Sequence, residues 1–159
     1  MEKYWINESY EINRNIVINK ENLLFEEAKT KNNQIYLHLG CGSRILEGFT
    51  NVDKYFEDTN VINYDIFQLP FDNDSVDVIY CSHVLEHLPI RHAEMAIKEW
   101  SRVLKKDSKL YLAIPDLEVI IYKLLDPTTS DKLHEWMMYT LLGFQTNPAN
   151  KGSSLLDYP

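Results

Sequence analysis

Ile35-Tyr36-Leu37-His38-Leu39-Gly40-Cys41-Gly42 is the stretch whose reading decides the fold. An apolar run of strand length stops abruptly at a glycine pair. Four more runs downstream repeat the form. Phe49-Thr50-Asn51-Val52 stops at Asp53, and Val61-Ile62-Asn63-Tyr64 stops at Asp65. Val76-Asp77-Val78-Ile79-Tyr80-Cys81 stops at Ser82-His83, and Leu110-Tyr111-Leu112-Ala113-Ile114 stops at Pro115-Asp116. Between the last two runs, Ala93, Ala96, Ile97, Trp100, Val103 and Leu104 recur at three- and four-residue steps, the stripe of an amphipathic helix. Arg102, Lys105 and Lys106 gather at its end, where cations favour the negative pole of the helix dipole. Strand, helix and strand in this order make a βαβ unit and therefore a parallel sheet, with right-handed crossovers.

Two crossovers are lean. Residues 40–48 and 65–75 leave no room for a helix plus its loops. A helix over Glu21–Lys29, with Leu23, Leu24, Phe25 and Ala28 on its apolar side, is therefore expected to cover part of one sheet face. Further helices are expected over Leu117–Leu125 and from about Ser130 to Leu142, separated by Asp126-Pro127-Thr128-Thr129. Tyr122, Trp136 and Tyr139 are expected to pack within them. The Asn-, Pro-, Gly- and Ser-rich end predicts a loosely ordered tail. The division is thus an N-terminal helical extension over 1–33, a ligand-binding domain over 34–142 and a tail over 143–159.

Composition narrows the function. The chain has 159 residues, 45% of them hydrophobic and 25% charged, as in an ordinary globular domain, so disordered, collagen-like and coiled-coil classes are excluded. A net charge of −8 argues against a nucleic-acid partner, which needs clustered Lys and Arg to displace counterions. No apolar h-region follows Met1 and no run suffices for a membrane span, so neither secretion nor a membrane partner is expected. The two cysteines, Cys41 and Cys81, lack both framework and metal spacing and read as small buried hydrophobes of a cytoplasmic protein.

The chemistry gathers where the runs stop. Open parallel sheets bind ligands at the carboxyl ends of their strands, beside the reversal of strand order. Gly40-Cys41-Gly42 lets the backbone approach a ligand with its amides free. Asp53, closing the second run, is placed to accept both hydroxyls of a ribose. Asp65, closing the third, can accept from an exocyclic amine such as that of adenine, and the Ile66 amide can meet the ring. Either aspartate alone is an ordinary turn or cap residue. Glycine, acid and acid at successive strand ends describe an adenosine site. A dinucleotide fingerprint is absent, because Gly40-Cys41-Gly42-Ser43-Arg44-Ile45 lacks the third glycine and Asp53 comes too early. No G-x-x-x-x-G-K-[ST] phosphate loop is present either. The ligand is an adenosine without pyrophosphate.

Leu37-His38-Leu39-Gly40-Cys41-Gly42, Asn51-Val52-Asp53 and Tyr64-Asp65-Ile66-Phe67-Gln68-Leu69-Pro70-Phe71 together resemble a class I S-adenosylmethionine-dependent methyltransferase. The segment Ser75–Leu88 is similar to the family's fourth-strand motif, and Glu99-Trp100-Ser101-Arg102-Val103-Leu104-Lys105 to its following helix. The likeness runs from about 35 to 122 and is greatest to small-molecule, type 11-like enzymes of the ubiquinone/menaquinone-biosynthesis kind. It departs at His38, where the family has an acid, and at Arg44, where it has a third glycine.

The resemblance implies a Rossmann-like three-layer α/β sandwich with a mostly parallel sheet in order 3-2-1-4-5. The family's terminal antiparallel strand pair is expected to be missing from this truncated or minimal version. S-adenosylmethionine is the implied cofactor. Gly40, Cys41 and Gly42 would face its methionine and ribose portions, Asp53 the ribose hydroxyls, Asp65 and Ile66 the adenine, and Ser82 and His83 the methionine end. The implied reaction is in-line displacement at the sulfonium methyl toward a small-molecule or glycan-precursor acceptor. In that reaction the protein aligns the acceptor and excludes water.

Where the acceptor must lose a proton, His83 is the first candidate base and His87 the second. His83-x-x-Glu86-His87 also spells a metal-ligand pattern, but Pro89 and the preceding strand deny it the sustained helix of a zinc protease. A divalent-ion role of this cluster stays open as an alternative, and no metal is expected. Pro115-Asp116 can border the acceptor pocket or simply cap the next helix. An uncovered fifth-strand edge predicts a homodimer. The competing functional reading is a module that binds S-adenosylmethionine or S-adenosylhomocysteine without transferring a methyl group.

Overall fold

The computed structural model describes residues 20–142. The expected tail over 143–159 and the first nineteen residues of the N-terminal extension lie outside the described residues. Helix α1 spans 20–30. It is followed by β1 (Tyr36–Leu39), β2 (Thr50–Val52), β3 (Val61–Ile62), β4 (Val76–Ser82), a 3-10 turn (Leu85–His87), α2 (Ile90–Val103), β5 (Leu104–Ala113), α3 (Leu117–Leu125) and α4 (Asp131–Leu142). The five strands form one sheet in the order β3-β2-β1-β4-β5, parallel at every pairing. The reversal of strand order falls between β1 and β4, where the chain enters the middle of the sheet and builds outward to either side.

Strand alternation makes the two layers around the sheet. Leu37 and Leu39 point to the same face as Ile79 and Cys81, and there they meet Ala96, Trp100 and Val103 of α2 in one buried cluster. Those α2 residues are the stripe expected from sequence, and none of the three exposes any surface. Tyr36, Val78 and Tyr80 face the other way, joining Phe49 with Leu24 and Ala28 of α1. The N-terminal helix does cover the face that the lean crossovers leave bare. Its apolar side is narrower than expected, however, because Leu23 is 71% exposed.

The end of α2 corrects the dipole reading. Arg102 forks onto both carboxylate oxygens of Glu99 at 2.7 and 2.8 Å and also reaches the carbonyls of Leu69 and Phe71. Glu99 in turn accepts from the Leu69 amide at 2.7 Å. The pair clamps the loop after β3, and bidentate charge-assisted bonds give it geometry that a dipole contact lacks. Lys105 and Lys106 stand beyond the helix. Leu104 pairs with Val76 and Lys109 with Val78, so Lys105–Ser108 bulge out of the ladder, and Lys105 binds Asp77 at 2.7 Å.

Asp116 caps α3, accepting from the amides of Glu118 and Val119. Of the two roles weighed for it, capping is the one the structure displays. On α3, Tyr122 is 38% exposed, and the helix packs on α4. The side chains of Trp136 and Tyr139 lie outside the described residues. No helix among the described residues is long and apolar enough to cross a membrane.

Candidate functional site

Backbone bonding carries the strand ends past the sheet and holds them side by side. The Cys41 amide donates to the Val52 carbonyl and the Asp53 amide to the Ile62 carbonyl, each at 3.2 Å. The Asp53 carboxylate then joins the two loops. One oxygen accepts from the Gly42 amide at 2.8 Å, and the other accepts from the amides of Tyr55 and Phe56 at 2.8 and 3.0 Å. Three donors leave part of the capacity of a carboxylate, roughly four lone-pair sites, available to a ligand.

Gly40 is required twice over. Its φ is +62°, and a Cβ there would collide with the Val84 side chain. Gly42, at φ +48°, has open space where a Cβ would stand, so the backbone is bare on the ligand side.

Asp65 lies across the crevice from these loops. Its carboxylate binds Lys54 Nζ at 2.8 Å with one oxygen and accepts from the Phe67 amide at 3.1 Å with the other. The hydrogen bond to Asp65 holds the Lys54 ammonium above its ordinary pKa. Ile66 is buried, and its carbonyl accepts from the indole N–H of fully buried Trp100 at 3.0 Å. The floor of the crevice is thereby pinned to α2.

His83 closes the fourth side. It sits just past β4 with φ +56°, a left-handed conformation uncommon for a residue with a side chain. Its amide donates to the Ala113 carbonyl at 2.9 Å, and its Nδ1 lies 3.0 Å from Glu86 Oε1. The left-handed turn aims the following 3-10 turn back over Gly40.

These elements enclose one cleft of about 230 Å³ at the carboxyl ends of β1, β2 and β4. Six of the expected residues line it together: Gly40, Gly42, Asp53, Asp65, Ile66 and His83. Both aspartates share this crevice. Cys41 and Ser82 are not part of its lining. Cys41 is buried with its thiol toward the Gly42 carbonyl, and Ser82 is half-buried beside Ala113 of β5. Burial, with the Asp53 charge adding to it, pushes the Cys41 thiol up to about 11. Burial likewise pushes Cys81 up to about 12, so neither is a thiolate at neutral pH.

Sequence reading passed over Lys54, Tyr55, Val84 and Leu88, which also line the cleft, while His87 stood only as the second base. The signal lay in position. Lys54 and Tyr55 directly follow the acid that ends β2, and Val84 and Leu88 flank the His83-x-x-Glu86-His87 motif. Among the described residues, no group of three or more His, Cys, Asp or Glu side chains could hold a metal ion. A recess of about 300 Å³ opens at the opposite ends of the strands, between Glu27, Asp77 and Lys105–Lys109. It has neither a glycine backbone nor acids at the carboxyl ends of strands, so the chemistry points to the smaller cleft.

A family model described as a methyltransferase domain matches residues 44–112, from the loop after β1 to β5. The match is confined to that segment, less than half of the chain. Among solved structures, this chain is similar to an S-adenosylmethionine-dependent methyltransferase from Archaeoglobus fulgidus. The two share 20% identity at a TM-score of 0.51, over 81% of this chain and 67% of that one. It is also similar to the YcgJ protein of Bacillus subtilis (21% identity, TM-score 0.45, 73% of this chain and 64% of that one). Phosphoethanolamine N-methyltransferase 2 of Haemonchus contortus in complex with S-adenosyl-L-methionine follows at 16% identity and TM-score 0.43, over 76% and 36% of the two chains. The chain spans between 50% and 67% of the length of the first structures it matches. No curated protein sequence matches it.

The residues lining the cleft fit S-adenosylmethionine, on which the Archaeoglobus fulgidus methyltransferase depends. The cleft has open space above Gly42, carboxylates at two neighbouring strand ends, and the apolar side chains of Ile66, Val84 and Leu88 between them.

Proposed function

We propose that this chain transfers the methyl group of S-adenosylmethionine to a small-molecule or glycan-precursor acceptor, in a cytoplasmic setting. The observation that carries the reading is the shared crevice of Asp53 and Asp65, which Gly40 and Gly42 also line, with open space beside the Gly42 backbone. Asp53 has unused acceptor capacity for the ribose hydroxyls. Asp65 and the Ile66 amide, which has no partner among the described residues, face the adenine. Gly40, Cys41 and Gly42 lie along the ribose and methionine portions, Cys41 through its backbone, and His83 borders the methionine end, with Ser82 outside the lining.

When bound, the cofactor supplies an electrophilic methyl group. The work left to the protein is to align an acceptor in line with that methyl and to keep water away. Val84, Leu88 and Ile66 give the cleft its apolar wall. His83 takes the acceptor's proton where there is one to lose, and it is the catalytic residue in this reading. The acidic net charge and the unpaired, buried Cys41 and Cys81 support a reducing compartment without nucleic-acid or membrane partners.

The test is release of S-adenosylhomocysteine with a panel of phenol, amine and carboxylate acceptors. Turnover with one of them, lost in His83→Gln, is the expected outcome. Tight binding of S-adenosylhomocysteine with no turnover across the panel would instead mark a binding module. β5 is one of the two edge strands of the sheet, with β3 at the other side, and we read it as the seam of a homodimer. Light scattering should give twice the chain mass; a monomer counts against that seam.

A further inference from the structure

We propose that Glu86 is a positioning residue: it orients the His83 ring and fixes its tautomer so that Nε2 is the nitrogen left to take a proton. This rests on the reading of His83 as the base. The geometry that carries it lies within one turn of chain. Glu86 Oε1 and His83 Nδ1 are 3.0 Å apart, and an ionised carboxylate can only accept, so the proton is on Nδ1. In the neutral ring Nε2 is then the lone-pair nitrogen.

Two further features hold the arrangement. The Glu86 side chain is 18% exposed and that of His83 is 60% exposed, so the carboxylate is the fixed partner and the ring the accessible one. His83 also adopts φ +56° with its amide tied to Ala113 of β5, which sets the backbone from which the ring projects. A non-glycine residue held in that conformation persists where the surroundings impose it. Here the surroundings are β5 on one side and the 3-10 turn carrying Glu86 on the other. Asp53, Lys54, Asp65 and His87 line the same cleft, and Glu86 is the group with a hydrogen bond to the ring.

The role is that of the carboxylate behind a histidine base in a hydrolytic triad: it holds the imidazole without exchanging a proton with it. The proton removed from an acceptor ends on His83 Nε2, giving an imidazolium whose Nδ1–H stays on Glu86. The acceptor's freed electron pair forms the new bond to the methyl carbon as the carbon–sulfur bond breaks toward sulfur.

The direct test is ¹⁵N NMR of histidine-labelled full chain saturated with S-adenosylhomocysteine, at a pH where the rings are neutral. The native protein should show His83 as the Nδ1–H tautomer. Glu86→Ala should shift it toward Nε2–H, the form a free imidazole prefers, and Glu86→Gln, which keeps an acceptor oxygen, should restore Nδ1–H. With any acceptor that turns over, Glu86→Ala should lower kcat tenfold or more and leave KM within about twofold. A His83 tautomer that is the same in the native chain and in Glu86→Ala overturns the proposal. A tautomer that follows Glu86 while His83→Gln keeps full turnover removes the base reading and leaves the orientation, so the two failures are distinguishable.

Discussion

His38 shows how a single side chain is shaped by its place. It occupies the middle of β1 at 2% exposure, with Nδ1 bonded at 3.0 Å to Asn51 Oδ1 on the neighbouring strand. Burial drives its pKa down to about 4, outweighing the Asn51 bond, so the ring is neutral in the folded chain. The unfolded ring, near 6.5, binds a proton between those values and the folded one does not. Stability is therefore complete above about pH 6.5 and falls as the pH drops toward 4, by about 3 kcal/mol. Urea midpoints should decline across that window, and His38→Asn, less stable at pH 7, should show a flatter acid limb; an equally steep limb would clear His38 of the effect. At this scale the sequence was legible for roles and less so for partners. The strand ends marked Gly40, Asp53 and Asp65, because an acid or glycine stopping an apolar run is a local signal. Arg44, standing at the family's third glycine, was opaque: it stacks over Phe25 and Tyr80 and bonds the Tyr80 hydroxyl at 3.3 Å, which depends on where α1 lies.

Among elements, α2 does more than cover a sheet face. Trp100 fills the core, and its N–H also fixes the Ile66 carbonyl, while Glu99 and Arg102 hold the loop from Leu69 to Phe71. Trp100→Phe keeps most of the apolar volume but leaves that carbonyl unsatisfied, a loss of about 1–3 kcal/mol. Lower urea stability and weaker S-adenosylhomocysteine affinity are expected together; a stable variant with native affinity would show that the floor of the cleft does not depend on this bond. The periodicity of α2 named its buried residues, because a 3.6-residue stripe is set by the helix alone. It could not reveal the Glu99–Arg102 clamp, whose partners lie some thirty residues earlier in the chain. The same limit explains Lys105–Ser108. Their bulge out of β5 is decided by pairing with β4, not by local composition.

For the whole molecule, the decisive fact is topological. A sheet ordered 3-2-1-4-5 brings the ends of β1, β2 and β3 together on one side of the reversal point, and the end of β4 on the other. Each apolar run announced its strand, and the order followed once the strands were matched to a known family. The size and lining of the cleft were beyond reach, since Val84 and Leu88 enter it through a turn that rests on the left-handed His83. The proposed function has a nucleoside gripped by these two carboxylates, and isothermal calorimetry with S-adenosylhomocysteine measures that grip most directly. Native chain should bind at one site per chain. Asp53→Asn, which keeps an acceptor oxygen for the neighbouring amides, should bind about 10- to 100-fold more weakly, as expected for a charged hydrogen bond of about 1.5–3 kcal/mol. A native chain that binds no S-adenosylhomocysteine, or a folded Asp53→Asn that binds it unchanged, would contradict the assignment.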